Sequence, residues 1–172
     1  MTMTLVSTVT VGAGGAASID FTSIPQTGTD LYLLVSSRHG ISADYNLLMN
    51  FNGSSASFTT RSLQGTGSSV ASTAPTANYM GYMNGANTTT NTFSSHAITL
   101  PNYSGATNKS ISVDCVQEQN GSFSYAQIIA GLRSNTAAIT SLSIYPEGGS
   151  FVQYSTASLY TITKGSGGAS VS

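Results

Sequence analysis

Charge is what this chain has least of. Its 172 residues include 5 Lys and Arg and 6 Asp and Glu, or 6% charged, against about 25% in an average globular domain. The net charge is -1. The basic residues, Arg38, Arg61, Lys109, Arg133 and Lys164, are scattered along the chain. A phosphate backbone or an anionic bilayer is met by grouped Lys and Arg, so neither nucleic acid nor membrane is expected as a partner. Trp is absent and Cys115 is the single cysteine, which excludes an internal disulfide framework. No apolar run approaches the roughly 20 residues of a membrane-spanning helix. The first residues lack the charged and apolar regions of a signal peptide, so the expectation is a soluble chain made in the cytoplasm.

Groups that do chemistry are equally sparse. His39 and His96 are the only histidines, and no HxxH, HxH or CxxC spacing exists to build the three or four ligands of a metal site. Both are read as structural, and no metal or cofactor is expected. Cys115 alternates with Ile111 and Val113, the pattern of a small hydrophobe on a core-facing side. No neighbouring base or helix N-terminus would lower its pKa. The carboxylates Asp20, Asp30, Asp44, Asp114, Glu118 and Glu147 are the material for a glycosidase pair, which works at roughly 5 to 9.5 Å, but no local motif marks two of them. There is no G-x-S-x-G elbow, and Gly12-Ala13-Gly14-Gly15 lacks the spacing and Lys of a phosphate loop. The chain is therefore expected not to be an enzyme. Its N-x-[ST] triplets, such as Asn52-Gly53-Ser54 and Asn102-Tyr103-Ser104, read as turns.

Hydroxyls take the place of charge: 29 Ser and 23 Thr. The chain is 40% hydrophobic with mean hydropathy +0.07, whereas disorder needs low hydrophobicity or high net charge. At this length one core buries roughly 70% of the unfolded surface. A weakly charged, hydroxyl-rich surface suits a chain packed among neighbours.

Period-two alternation recurs between Gly- and Pro-marked turns. The segment Ala137 to Lys164 sets the pattern: a strand at Ile139 to Tyr145, a turn at Pro146-Glu147-Gly148-Gly149, and strand-forming residues to Ile162 with a break near Ser155. Leu31 to Val35 reads as a central strand covered on both faces. Tyr45 to Phe51 alternates and ends in Asn52-Gly53, a type I′ hairpin signal, with Phe58 to Leu63 as its expected partner. Gln64 to Thr76 and Asn84 to Asn91 read as surface loops. Asn120-Gly121 is a second hairpin signal, leading into Phe123 to Leu132, whose two apolar-leaning faces predict a strand buried on both sides. About nine or ten strands result, with no helical period. The expected fold is all-β, an antiparallel two-sheet sandwich of jelly-roll type. Residues 1–164 form a single β-sandwich domain, in which 1–15 is free to act as a strand-exchange arm; 165–172 is a flexible Gly/Ser tail. Among the aromatics, Tyr79, Tyr82 and Tyr103 lie beside loops and are the candidate contact residues, since amphipathic tyrosines are enriched at interfaces.

Several phrases resemble a group of small structural proteins of tailed bacteriophages, many from aquatic and cyanobacterial hosts. They are Ser7 to Pro25 (STVTVGAGGAASIDFTSIP), Asp30 to Arg38, Phe51 to Ser54 (FNGS), Leu100 to Ser110 (LPNYSGATNKS), Ala130 to Ile144 (AGLRSNTAAITSLSI) and Phe151 to Ile162 (FVQYSTASLYTI). The resemblance spans nearly the whole chain. It implies a virion component with a jelly-roll-like β fold, a homo-oligomer that is most often a trimer, and other virion proteins such as the major capsid protein as partners. It supplies no catalytic residue. A capsid decoration or cement protein is the expected role; the alternative is a tail-fibre, baseplate or receptor-binding component that contacts host surface glycan.

Overall fold

The computed structural model describes residues 1–75, 78–120 and 124–165. Among them are twelve strands and no helix. The strands are β1 (Thr2–Thr10), β2 (Ile19–Phe21), β3 (Asp30–Ser37), β4 (Tyr45–Phe51), β5 (Phe58–Gly65) and β6 (Val70–Thr73). They continue as β7 (Tyr79–Met83), β8 (Ser94–Pro101), β9 (Lys109–Gln117), β10 (Tyr125–Arg133), β11 (Leu142–Pro146) and β12 (Thr156–Thr163). Every pairing between them is antiparallel. They form an eight-stranded sheet, β1-β12-β3-β8-β9-β10-β5-β6, and a four-stranded sheet, β2-β11-β4-β7.

Two of the hairpins, β5–β6 and β9–β10, extend the large sheet beyond β8. Without them eight strands remain. Numbered along the chain, these lie first-eighth-third-sixth in the large sheet and second-seventh-fourth-fifth in the small one. This skeleton holds the apolar core. Leu31, Leu33 and Val35 of β3, Ile98 and Leu100 of β8, and Ala157 and Leu159 of β12 point inward from the large sheet and are buried. Ile19, Phe21, Leu47, Met49, Phe51, Leu142 and Ile144 meet them from the small sheet. Strand alternation puts these residues on one face each, and at roughly 1.5–3 kcal/mol per fully buried large aliphatic or aromatic side chain they dominate the folding energy.

Several local expectations change in three dimensions. Asn52 and Gly53 both have positive φ (51° and 72°) and close a tight turn in which Phe51 and Ser54 exchange backbone hydrogen bonds, as the type I′ signal requires. The chain then leaves the sheet instead of pairing back. Strand β4 pairs with β11 and β7, while β5 pairs with β10 and β6. The Asn52 side chain explains this: its Oδ1 accepts from the Thr140 and Ser141 amides at 2.9 and 3.1 Å, and its Nδ2 donates to the Ala138 carbonyl at 2.8 Å. The turn is docked on the 138–141 segment and redirects β5 across the sandwich. The stretch read as a loop from Gln64 contains strand β6, an edge strand exposed at every position, so no burial pattern marked it. Strands β11 and β12 belong to different sheets, with Phe151 making isolated bridges to Ala16 and His39 between them.

The double coverage expected of two strands is also corrected. Strand β3 is central, between β12 and β8, but Leu34 on its outer side is exposed. Strand β10 buries Gln127, Ile129 and Arg133 and exposes Ala126, Ile128, Ala130 and Leu132. One sheet can cover only one face of another. Strand β1 pairs with β12 of its own chain through Thr2–Thr10. Thr76, Gly121, Phe123 and residues 166–172, including the tail expected to be flexible, lie outside the described residues.

Candidate functional site

The three tyrosines singled out by their loop-side positions do not share a surface. Tyr103 is fully buried. Its hydroxyl donates to the Pro25 carbonyl, and its own carbonyl accepts from the Ile139 amide at 3.0 Å, so it ties three connecting segments together at one end of the sandwich. Tyr79 is also buried, and Gln127 Nε2 donates to its hydroxyl at 2.6 Å. Burial pushes the pKa of both phenols up. Neither is the exposed contact residue expected. A buried phenol has to find a hydrogen-bond partner, and both have found one.

Tyr82 alone is half-exposed. Its ring meets Tyr79 edge-on at 5.9 Å and Tyr125 at 4.5 Å with 34° between planes. Its amide donates to Gln127 Oε1 at 3.0 Å. The arrangement depends on Gly81, whose φ of +116° breaks the alternation of β7. Tyr79 and Met80 both turn inward as a result, and a Cβ on Gly81 would lie 2.4 Å from Cys115 Sγ.

Beside Tyr125 opens a cleft of about 540 Å³, with Gly65 and Thr66 on one side and Glu118, Asn120 and Ser124 on the other. Asn120 donates its amide to Glu118 at 2.7 Å, and this bond, followed by one from Ser124, holds the Glu118 carboxyl below its usual range. The lining mixes the polar side chains of Thr66, Glu118, Asn120 and Ser124 with Val116, Ala126 and the Tyr125 ring. Glu118 is the only carboxylate lining this cleft among the described residues, so the two-carboxylate arrangement of a glycosidase is not assembled there.

The 84–91 segment, read from sequence as a surface loop, is fastened from beneath. Arg38 Nη1 donates to Thr88 Oγ1, Thr89 O and Thr92 O at 2.8–2.9 Å. Asn84 Nδ2 reaches the Glu118 carbonyl at 3.1 Å, and Thr89 Oγ1 donates to the Gln119 carbonyl. Arg38 thus serves as an internal clamp, a role its place at a strand end did not signal.

Cys115 faces the core as its alternation predicts, and burial raises its pKa to about 12. His96, its cross-strand neighbour, is fully buried and its pKa is pushed down to about 4 by burial. His39 is buried near Tyr45, and burial, then the Arg38 charge, lowers its pKa. Among the described residues no three of His, Cys, Asp or Glu stand close enough together to hold a metal ion.

No family model, curated protein or solved structure matches this chain.

The remaining surface feature is the outer face of the β9–β10–β5 extension. Val116, Leu63, Ile128 and Leu132 point outward there and are exposed. On the inward side of the same strands lie Lys109, Gln117, Gln127, Arg133, Thr60 and Ser62, all buried. Arg133 sits over the Phe51 and Phe58 rings at 5.4 and 5.7 Å. The usual polarity of a half-covered sheet, apolar inside and polar outside, is partly inverted. Sequence alternation alone could not show this, because it does not say which side of β10 faces the second sheet.

Proposed function

We propose that this chain is a non-enzymatic virion structural protein that coats the outside of a bacteriophage capsid as a decoration or cement protein, in groups of three. The observation that carries the reading is the eight-strand skeleton. Its order, first-eighth-third-sixth over second-seventh-fourth-fifth, is in our reading that of a jelly roll, a double-sheet architecture used by viral capsid and lectin domains. The phrase-level resemblance to phage structural proteins points the same way. A fold alone does not assign a function; the surface supplies the second support. It is rich in hydroxyls and poor in charge, which fits broad packing on protein better than electrostatic steering of a charged ligand. A protein that binds only the assembled shell stabilises it by mass action, by about 2.7 kcal/mol per site at a hundredfold excess over Kd. Strand β1, at one edge of the large sheet, is suited to adding a strand to a neighbour.

Copy number tests the reading. Quantitative mass spectrometry of virions carrying this chain is expected to give hundreds of copies, placed on the head by immunogold labelling. A few dozen copies located at the tail overturn the capsid assignment. That outcome favours the second reading, a tail or receptor-binding component, whose specific support is the half-exposed Tyr82–Tyr125 pair beside the cleft that Glu118, Asn120 and Ser124 line. Under that reading the cleft holds host glycan.

A further inference from the structure

We infer that the outer face of β10, with its neighbours β9 and β5, is where copies of this chain meet, the Asp114 side of one copy lying against the Arg61 side of the next. Outward residues form cross-strand rows: Val116, Ala126, Gly65 and Val70; then Asp114, Ile128, Leu63 and Ser72; then Ser112, Ala130 and Arg61. Every outward residue of β10 is apolar. Ile128 at the centre is 64% exposed, Leu63 beside it 51%, and Val116 and Val70 in the neighbouring row 46% and 76%. A free sheet face normally carries polar residues outward, and contiguous apolar patches of more than a few hundred Å² mark interaction sites.

Charge selects the occupant. Among the described residues the only salt bridge is Lys164 to Asp30, so neither Asp114 nor Arg61 pairs with an opposite charge among them. Arg61 Nη1 donates to the Thr60 carbonyl at 2.8 Å. Both residues are exposed. They flank the apolar row one strand to each side, Asp114 on β9 and Arg61 on β5. Strand spacing, about 4.8 Å per strand, sets their backbones roughly 10 Å apart across the β10 row, and the two side chains do not pair across it. In a closed ring whose axis runs along β10, the apolar rows face the axis and the Asp114 edge of each copy meets the Arg61 edge of the next. The face thus carries its own complement, which an unrelated partner would have to supply separately. Such head-to-tail contacts close under rotational symmetry.

This rests on the preceding section only in taking the partner to be the same chain, and it is tested without a virion. Light scattering behind a sizing column is expected to show an oligomer for the purified chain, and Ile128→Glu to raise its dissociation constant roughly thirtyfold or more, the effect of losing a central anchor. Ile128 is exposed, so the circular dichroism spectrum of this variant should match the parent. Asp114→Arg and Arg61→Asp should each weaken assembly, and the double variant should recover it. A parent chain that stays monomeric at high micromolar concentration, an Ile128→Glu oligomer as tight as the parent, or a double variant no better than the single ones overturns the inference. The number of subunits tests the three-fold part of the functional reading separately, and the virion copy number tests its capsid part.

Discussion

Between β8 and β9 the large sheet changes character. On the skeleton side, buried inward positions of β3, β8 and β12 are Leu31, Leu33, Val35, Ile98, Leu100, Ala157 and Leu159, facing the aliphatic and aromatic residues of the small sheet, together with the small or neutral polar residues Ser37, Ser94, His96 and Thr161. On the extension side, inward positions of β9, β10 and β5 mix Ile111, Val113 and Ile129 with Lys109, Gln117, Gln127, Arg133, Thr60 and Ser62. The cause lies opposite. The small sheet ends at β7, which packs across β9 and also touches β8 and β10. Among the described residues no further strand of the small sheet lies beyond β7, and several inward residues of the extension meet polar groups. Lys109 Nζ, for example, donates to the Gly105 and Thr107 carbonyls. The comparison teaches that interior polarity follows the extent of the covering layer, not strand pairing, which is continuous through β8, β9 and β10.

The largest expected effect is at the seam. Phe51, from the small sheet, is buried against Phe58 at 5.2 Å and under Arg133, so it joins the aliphatic core to the polar extension. Phe51→Ala should cost about 3–5 kcal/mol in urea unfolding. A loss under about 1 kcal/mol would mean that the extension does not depend on the skeleton.

His96 lies on β8 at the same boundary, and its pKa of about 4 reflects burial. The unfolded value is about 6.5. Between these values the unfolded chain binds the extra proton, so stability is present above the unfolded pKa and falls as pH is lowered toward about 4. The loss from this group should reach about 3 kcal/mol. Urea midpoints across that range, with the His96 ring followed by NMR, measure it. A ring that titrates above about pH 6 would place a solvated channel at the boundary.

The smallest effect belongs to the extension's polar interior. Tyr79→Phe removes the hydroxyl that accepts from Gln127 and should cost about 0.5–1.5 kcal/mol. Gln127 Nε2 also donates to Gln64 Oε1 at 3.1 Å, so the amide keeps a partner. A loss as large as that for Phe51→Ala would erase the contrast between the two halves.

Much of the strand content was legible in the residues. The apolar run Leu31 to Val35 and the alternations at Tyr45 to Phe51 and around Ile111, Val113 and Cys115 all became strands, because period two and apolar runs are local properties of the chain. Cys115 could be placed inward on that ground alone. Edge strand β6 was not legible, since none of its residues is buried, and burial is what leaves a pattern. Of the three tyrosines expected at the surface, Tyr82 is half-exposed, whereas Tyr79 and Tyr103 are buried. Proximity to a loop in sequence says nothing about which way a ring turns, and Gly81 had already turned one of them inward. Tyr125, which completes the aromatic pair, carried no signal beyond its type.

By itself the sequence determined the all-β class, the turn at Asn52-Gly53 and the inward side of a strand such as β9, because φ preference and alternation act within a few residues. Only the tertiary structure decided which strands pair, that β5 leaves β4 for β10, and that no described residue covers the apolar outer row of β10. Those outcomes depend on contacts between residues far apart in the chain, such as Asn52 with the 138–141 segment, and no local preference encodes them.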